Sequence, residues 1–181
     1  MNILKNYYDI TIKHDLINKF YYLNIKEIPK LQKVILNFGC DNYKLKDIAP
    51  ALLVLELLSE KTGTLTKAKK PNIILKIRKG QPVGCFVVIT NLKMYKFLFY
   101  LLVKIFPLIK DFKGIPLNFK NKQINTLSFY IYDLTVFKEL NTHFYFYNKL
   151  PPLNITIVTN TTKKNEFIFL LNSFKIPLII K

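Results

Sequence analysis

The chain has 181 residues, 50% hydrophobic and 14% aromatic, which is enough to bury a sizeable core and does not require a second one; one domain over 1–181 is expected. Its 28 Lys and Arg against 11 Asp and Glu give a formal net charge of +17. That is far beyond the roughly 2 to 8 that solubility asks of a small domain. The excess argues against neutral or cationic partners and for phosphate, on nucleic acid or on an anionic membrane surface.

Tyr8, Ile12, Leu16 and Phe20 recur every four residues and predict a starting helix, although the alternation in YDITIK also fits a strand. After Pro29, KLQKVILNF alternates, with Val34, Leu36 and Phe38 on one face and Lys33, Ile35 and Asn37 on the other, and Gly39 ends this strand. Asp47 is a candidate N-cap for a helix carrying Ile48, Leu52, Leu55 and Leu58, with Pro50 in its first turn. Leu65 to Thr90 reads as a hairpin. Its strands are expected to run through NIILKIR and VGCFVVIT, with Lys79, Gly80, Gln81 and Pro82 at the tip and Lys67, Lys69, Lys70, Lys76, Arg78 and Lys79 as its cations. Strand alternation would place Lys76 and Arg78 on one side and Ile73, Leu75 and Ile77 on the other.

Beyond the hairpin, Met94, Leu98, Leu101, Leu102 and Ile105 mark a helix face starting near Asn91 and stopping before Pro107. KGIPLNFKNKQIN has no period and predicts an exposed loop. Two alternating runs follow, TLSFYIYDLTVF and LNITIVT, and a final helix carries Phe167, Leu170, Leu171 and Phe174. The sum is an α+β domain, helices packed on a mainly antiparallel sheet, with a protruding basic β-hairpin.

No motif for catalysis is present: there is no GxSxG, Walker loop, GxGxxG or HExxH. The neighbouring carboxylates Asp41 and Asp47, or Asp133 and Glu139, fit helix caps and strand ends better than a magnesium site. Cys40 and Cys85 lie in apolar runs as small buried thiols, and His14 and His143 are too isolated for a metal cluster. No enzyme activity, cofactor or metal is expected. FLFYLLVKIFPLI is interrupted by Lys104 and Pro107 and is too short to span a membrane, and the first residues lack the pattern of a targeting presequence. Lysine supplies nearly all the positive charge, Arg78 being the single arginine, and Asn, Ile, Phe and Tyr abound. Those choices follow AT-rich codons.

The blocks NYYDITIKHDLINKF, IPKLQKVILNFG, TKAKKPNIILKIRKGQPVGCFVVIT, MYKFLFYLLVKIFPLIKDFKGI and LNITIVTNTTKKNEFIFLLNSFKIP, in that order from Asn6 to Pro177, resemble family five of the large-subunit ribosomal proteins (L-five), the universal ribosomal protein beside the 5S rRNA, in its bacterial and mitochondrial form. The resemblance implies a curved, mainly antiparallel sheet and a place in the central protuberance of the large subunit. Implied partners are large-subunit rRNA, 5S rRNA where present, P-site tRNA, a small-subunit head protein across an intersubunit bridge, and neighbouring large-subunit proteins. Carried onto this chain, it implies rRNA contacts at Asn37, Lys67, Lys69, Lys70, Lys76 and Arg78, and tRNA contacts at Lys79, Gly80, Gln81, Pro82 and Val83. The chain departs from the family at Leu75, where an aromatic is usual, in KDFKG, where lysines replace arginines, and in NFKNKQINTLSFY, which replaces a glycine-rich stretch. With the codon bias, these departures imply a ribosome of the mitochondrial matrix, the alternatives being a plastid or the cytoplasm of an AT-rich bacterium. The competing functions are a free RNA-binding regulator and a peripheral protein of anionic membranes.

Overall fold

The computed structural model describes residues 3–39, 45–74, 76–110, 112–117, 125–141 and 150–179, without the side chains of residues 45–47. Strands β1 (Leu31–Gly39), β2 (Thr64–Lys67), β3 (Pro82–Thr90), β4 (Ile115–Pro116), β5 (Thr126–Ile131), β6 (Leu153–Thr159) and β7 (Leu178–Ile179) form two sheets. The larger has the order β2-β3-β1-β6-β5, and β4 and β7 form a separate parallel pair.

Every neighbour in the larger sheet runs antiparallel. β2 and β3 pair that way directly, and Gly84, early in β3, lies against Phe38 and Gly39 at the end of β1. The amide of Asn160 donates to the carbonyl of Lys30 at 3.2 Å, and that of Thr159 to Asn125 at 2.9 Å, so the end of β6 meets the starts of both β1 and β5. Alternation decides which face of β1 is covered: Val34, Leu36 and Phe38 are fully buried, and Lys33, Ile35 and Asn37 are partly exposed. The α+β expectation holds.

The chain divides into two compact units. The first comprises residues 1–34, 90–129 and 156–181. Its opening helix runs Ile3–Tyr7, then a π turn Tyr8–Ile12, then Lys13–Lys19. An α-helix of 3.6 residues per turn would carry a four-residue repeat around its axis. The wider π turn, closed by the amide of Lys13 on the carbonyl of Tyr8, absorbs the extra residue. Leu4, Tyr8, Ile12 and Leu16 are consequently all buried. This settles the early ambiguity in favour of helix. Asn91–Tyr100 is helical, and the helix continues through a π turn (Leu101–Ile105) and tightens into a 3₁₀ turn (Phe106–Leu108) that contains Pro107 rather than stopping before it. The last helix, Lys164–Ser173, buries Phe167, Leu170 and Leu171, and Phe174 follows them inside. Tyr8 stacks on Phe174, centroids 5.9 Å apart, and both rings contact Tyr95.

One loop expectation fails within this unit. Ile115 and Leu117 are buried, their amides bonded to the carbonyls of Pro177 and Ile179, so the chain after Gly114 enters a strand pair. Two residues pairing with a partner more than sixty positions away leave no local period to read. Residues 118–124, the rest of that stretch, lie outside the described residues.

The second unit comprises residues 35–89 and 130–155. Its helix Leu45–Ser59 begins before Asp47, and Pro50 sits inside it rather than in the first turn. Ile48, Ala51, Val54 and Leu55 form its buried face. Asp133 caps a 3₁₀ turn by accepting from the amide and hydroxyl of Thr135, the capping role expected of it. Cys85 is a buried thiol. Cys40, Asp41, the side chain of Asp47, and His143 lie outside what is described. Among the described residues no group of three His, Cys, Asp or Glu is arranged for a metal ion, and no helix is long and apolar enough to cross a membrane.

Buried phenols make the fold sensitive to alkali. Burial, then the charge of Tyr95, raises the ionisation of Tyr8 far above its ordinary value, and its hydroxyl donates to the carbonyl of Pro29 at 2.9 Å. Burial likewise pushes Tyr95 and Tyr22 up to about 12. The unfolded chain ionises near pH 10 and binds fewer protons above it, so stability is expected to be flat up to about pH 10 and to fall between 10 and 12. Urea midpoints across that range test this, and Tyr8→Phe should reduce the alkaline loss.

Candidate nucleic-acid interface

The basic segment is built from the root outward. In the ladder between β2 and β3, Thr64 faces Phe86, Leu65 faces Cys85, Thr66 faces Gly84, and the register then shifts so that Lys67 faces Pro82. The inward residues of β3, Cys85, Val87 and Ile89, are buried, which anchors the root in the core. Pairing goes one step further. The amide of Ala68 donates to Gln81 at 2.8 Å and that of Gly80 to Ala68 at 2.9 Å.

Beyond this point the structure corrects the expected strand. NIILKIR is a turn, closed by Asn72 and Ile77, whose amides and carbonyls bond reciprocally at 3.0 and 2.9 Å. The amide of Lys76 returns to the carbonyl of Ile73, and Lys76 takes a positive φ of 53°. The side chain of Asn72 accepts from the amide of Ile74 at 3.0 Å, an arrangement that fixes a turn rather than a strand. Strand alternation therefore does not sort these side chains. Ile73 and Ile74 are both more than 90% exposed, Ile77 is partly buried, and Leu75 lies outside the described residues.

A second turn sits at the shoulder. Arg78 to Gln81 closes through the amide of Gln81 on the carbonyl of Arg78, with Gly80 at φ 88°, the position where a type II turn needs a residue free of Cβ strain. The side-chain carbonyl of Gln81 accepts from the amide of Arg78 at 2.8 Å and locks the turn. Lys79 to Pro82, expected at the tip, thus lie where the arm joins β3, with Val83 inside that strand. The distal end is 73–76.

Lys67, Lys69, Lys70, Lys76, Arg78 and Lys79 are all exposed. No Asp or Glu occurs between Glu60 and Asp111, so nothing in the arm's own sequence neutralises them. Asn37 is partly exposed on the outer face of β1. A rigid root with a cationic excursion can follow a phosphate backbone: Arg78 offers a planar fork and the lysines mobile point charges. Sequence reasoning missed the Gln81 lock and the Asn72 turn. Pro71-Asn72, a turn-forming pair, was the available signal.

A model of the C-terminus of the ribosomal uL5 (L-five) family matches residues 82–178. The chain is 41% identical over 180 residues to the large ribosomal subunit protein uL5m of Reclinomonas americana, covering 98% of each. It is 36% identical over 181 residues to uL5c of Euglena gracilis, again 98% of each. Against uL5 of Nitrosomonas europaea the identity is 35% over 179 residues, 96% of this chain and 97% of that protein.

Proposed function

This chain belongs to the uL5 family of large ribosomal subunit proteins, structural components and not enzymes, and we propose that its basic arm is the grip by which it holds ribosomal RNA in that subunit. The observation that carries the reading is the acid-free run of six exposed cations on an excursion whose root is buried in a sheet. Lys67, Lys69, Lys70, Lys76 and Arg78 take rRNA phosphates, and Asn37 adds a polar contact from the outer face of β1. 5S rRNA, where the ribosome has one, shares this surface. The two turns of the arm, with Lys79, Gly80, Gln81, Pro82 and Val83 at the shoulder, meet P-site tRNA. A small-subunit head protein is met across a bridge. For neighbouring large-subunit proteins, the first unit offers an open apolar hollow of about 750 Å³ lined by Ile3, Tyr7, Phe99, Val103 and Phe112.

The similarity to uL5m and uL5c relatives supports an organellar ribosome. Within that class we favour the mitochondrial matrix, on the lysine and asparagine bias of the chain. The protein should cosediment with purified large subunits through a high-salt wash. Release into the wash would favour a free RNA-binding regulator, and preferential binding to anionic vesicles would favour a membrane role; either outcome overturns the assignment.

A further inference from the structure

We propose that Tyr130 and Tyr132 form a stacking platform for two unpaired bases of ribosomal RNA, a second contact separate from the basic arm; the proposal rests on the RNA-binding reading above. β5 is an edge strand of the larger sheet. Its inward residues Leu127, Phe129 and Ile131 are buried, and its outward row is Ser128, Tyr130 and, just past the strand end, Tyr132. Tyr130 is 56% exposed and Tyr132 79%. Two large rings held in water are burial waiting for a ligand.

Their geometry suits bases. The centroids are 6.4 Å apart with planes inclined by 37°, so the rings do not stack on each other and each keeps a free face. This is the i, i+2 spacing of a strand, the arrangement by which sheet-borne aromatics take successive unstacked bases. The surrounding row is polar. Ser128 and Thr156 share a hydrogen bond at 2.9 Å across β5 and β6, and the same antiparallel register sets Tyr130 opposite Asn154. The side-chain carbonyl of Asn154 has no donor among the described residues, so that oxygen does not fix the amide, which can turn to meet a base edge. A protein-docking face would present apolar neighbours around the rings. Here they are Ser, Thr and Asn, on a chain of net charge +17, which selects RNA.

The test uses the full chain and a short unstructured RNA of mixed sequence. Tyr130→Ala and Tyr132→Ala should each weaken binding about tenfold and the double variant about a hundredfold, with the salt dependence unchanged because no phosphate contact is removed. Tyr130→Phe and Tyr132→Phe keep the rings and should stay within about twofold of the parent. Zero-length photocrosslinking should join RNA to one or both tyrosines. Alanine variants that bind like the parent, or phenylalanine variants as impaired as alanine ones, would overturn the platform, as would normal RNA affinity coupled with loss of a neighbouring protein from assembled subunits. Arg78→Ala serves as the separate control: if it leaves the salt dependence untouched and the parent binds RNA independently of salt, it is the arm that fails.

Discussion

Gly84→Ala should destabilise the protein by about 3 kcal/mol, lowering its melting temperature by roughly 5 to 10 °C. A Cβ at this position would collide with the main-chain carbonyl of Phe38 and lie 3.1 Å from Thr66 Oγ1 and 3.5 Å from Gly39 Cα. The first of these is backbone within a neighbouring strand, and it cannot rotate away. β3 must therefore move off β1, which disturbs the ladder that roots the arm, so RNA affinity should fall together with stability. Gly63→Ala is the contrast. There the added carbon meets the end of the Leu52 side chain, which can change rotamer, and the cost should stay below about 1 kcal/mol. Urea unfolding of the two variants decides the matter. Equal, small losses would mean that the close approach of β3 to β1 is not what holds Gly84 in place.

The elements that were legible in the sequence are those whose burial is set by local period. β1 reads correctly because a half-buried strand sorts Val34, Leu36 and Phe38 from Lys33, Ile35 and Asn37 at every second residue. The last helix reads correctly for the same reason, at helical spacing. Where period misleads, a competing local bond is the cause. NIILKIR has an acceptable strand pattern, but Asn72 uses its side chain and backbone to close a turn, so the pattern has no ladder to act on. The four-residue repeat of Tyr8, Ile12 and Leu16 fits neither ideal period and is reconciled by a π turn that no composition rule announces. The cations of the interface were visible as residues. Their setting was not, because the lock of Gln81 on Arg78 and the displacement of Lys79 to Pro82 to the shoulder depend on three-dimensional closure. The pair Tyr130 and Tyr132 was readable as the outward row of TLSFYIY, but its exposure depends on β5 being an edge.

Replacing Lys67, Lys69, Lys70, Lys76, Arg78 and Lys79 together by Gln should have the largest effect on function, cutting the slope of log affinity against log salt by about 4 to 5. Each neutralised phosphate releases roughly 0.7 to 0.9 of a counterion, so six engaged cations account for that change. Net charge alone predicts a different result. Removing six exposed lysines elsewhere, Lys5, Lys26, Lys93, Lys113, Lys138 and Lys164, takes the same charge from the molecule while leaving the arm intact. If the arm is the grip, this second variant should lose only a small part of the slope, through weakened long-range attraction. Arg78 can be isolated within the set. Arg78→Lys preserves the charge but not the planar pair of donors, so it should lower affinity with almost no change in slope, whereas Arg78→Gln should lower both. Because all six side chains stand exposed on an excursion outside the buried root, unfolding midpoints should barely move in any of these variants. Equal loss of slope in the arm variant and in the scattered variant would show that RNA is held by the overall field of the protein, and the arm would then have to be explained by its contact with tRNA alone.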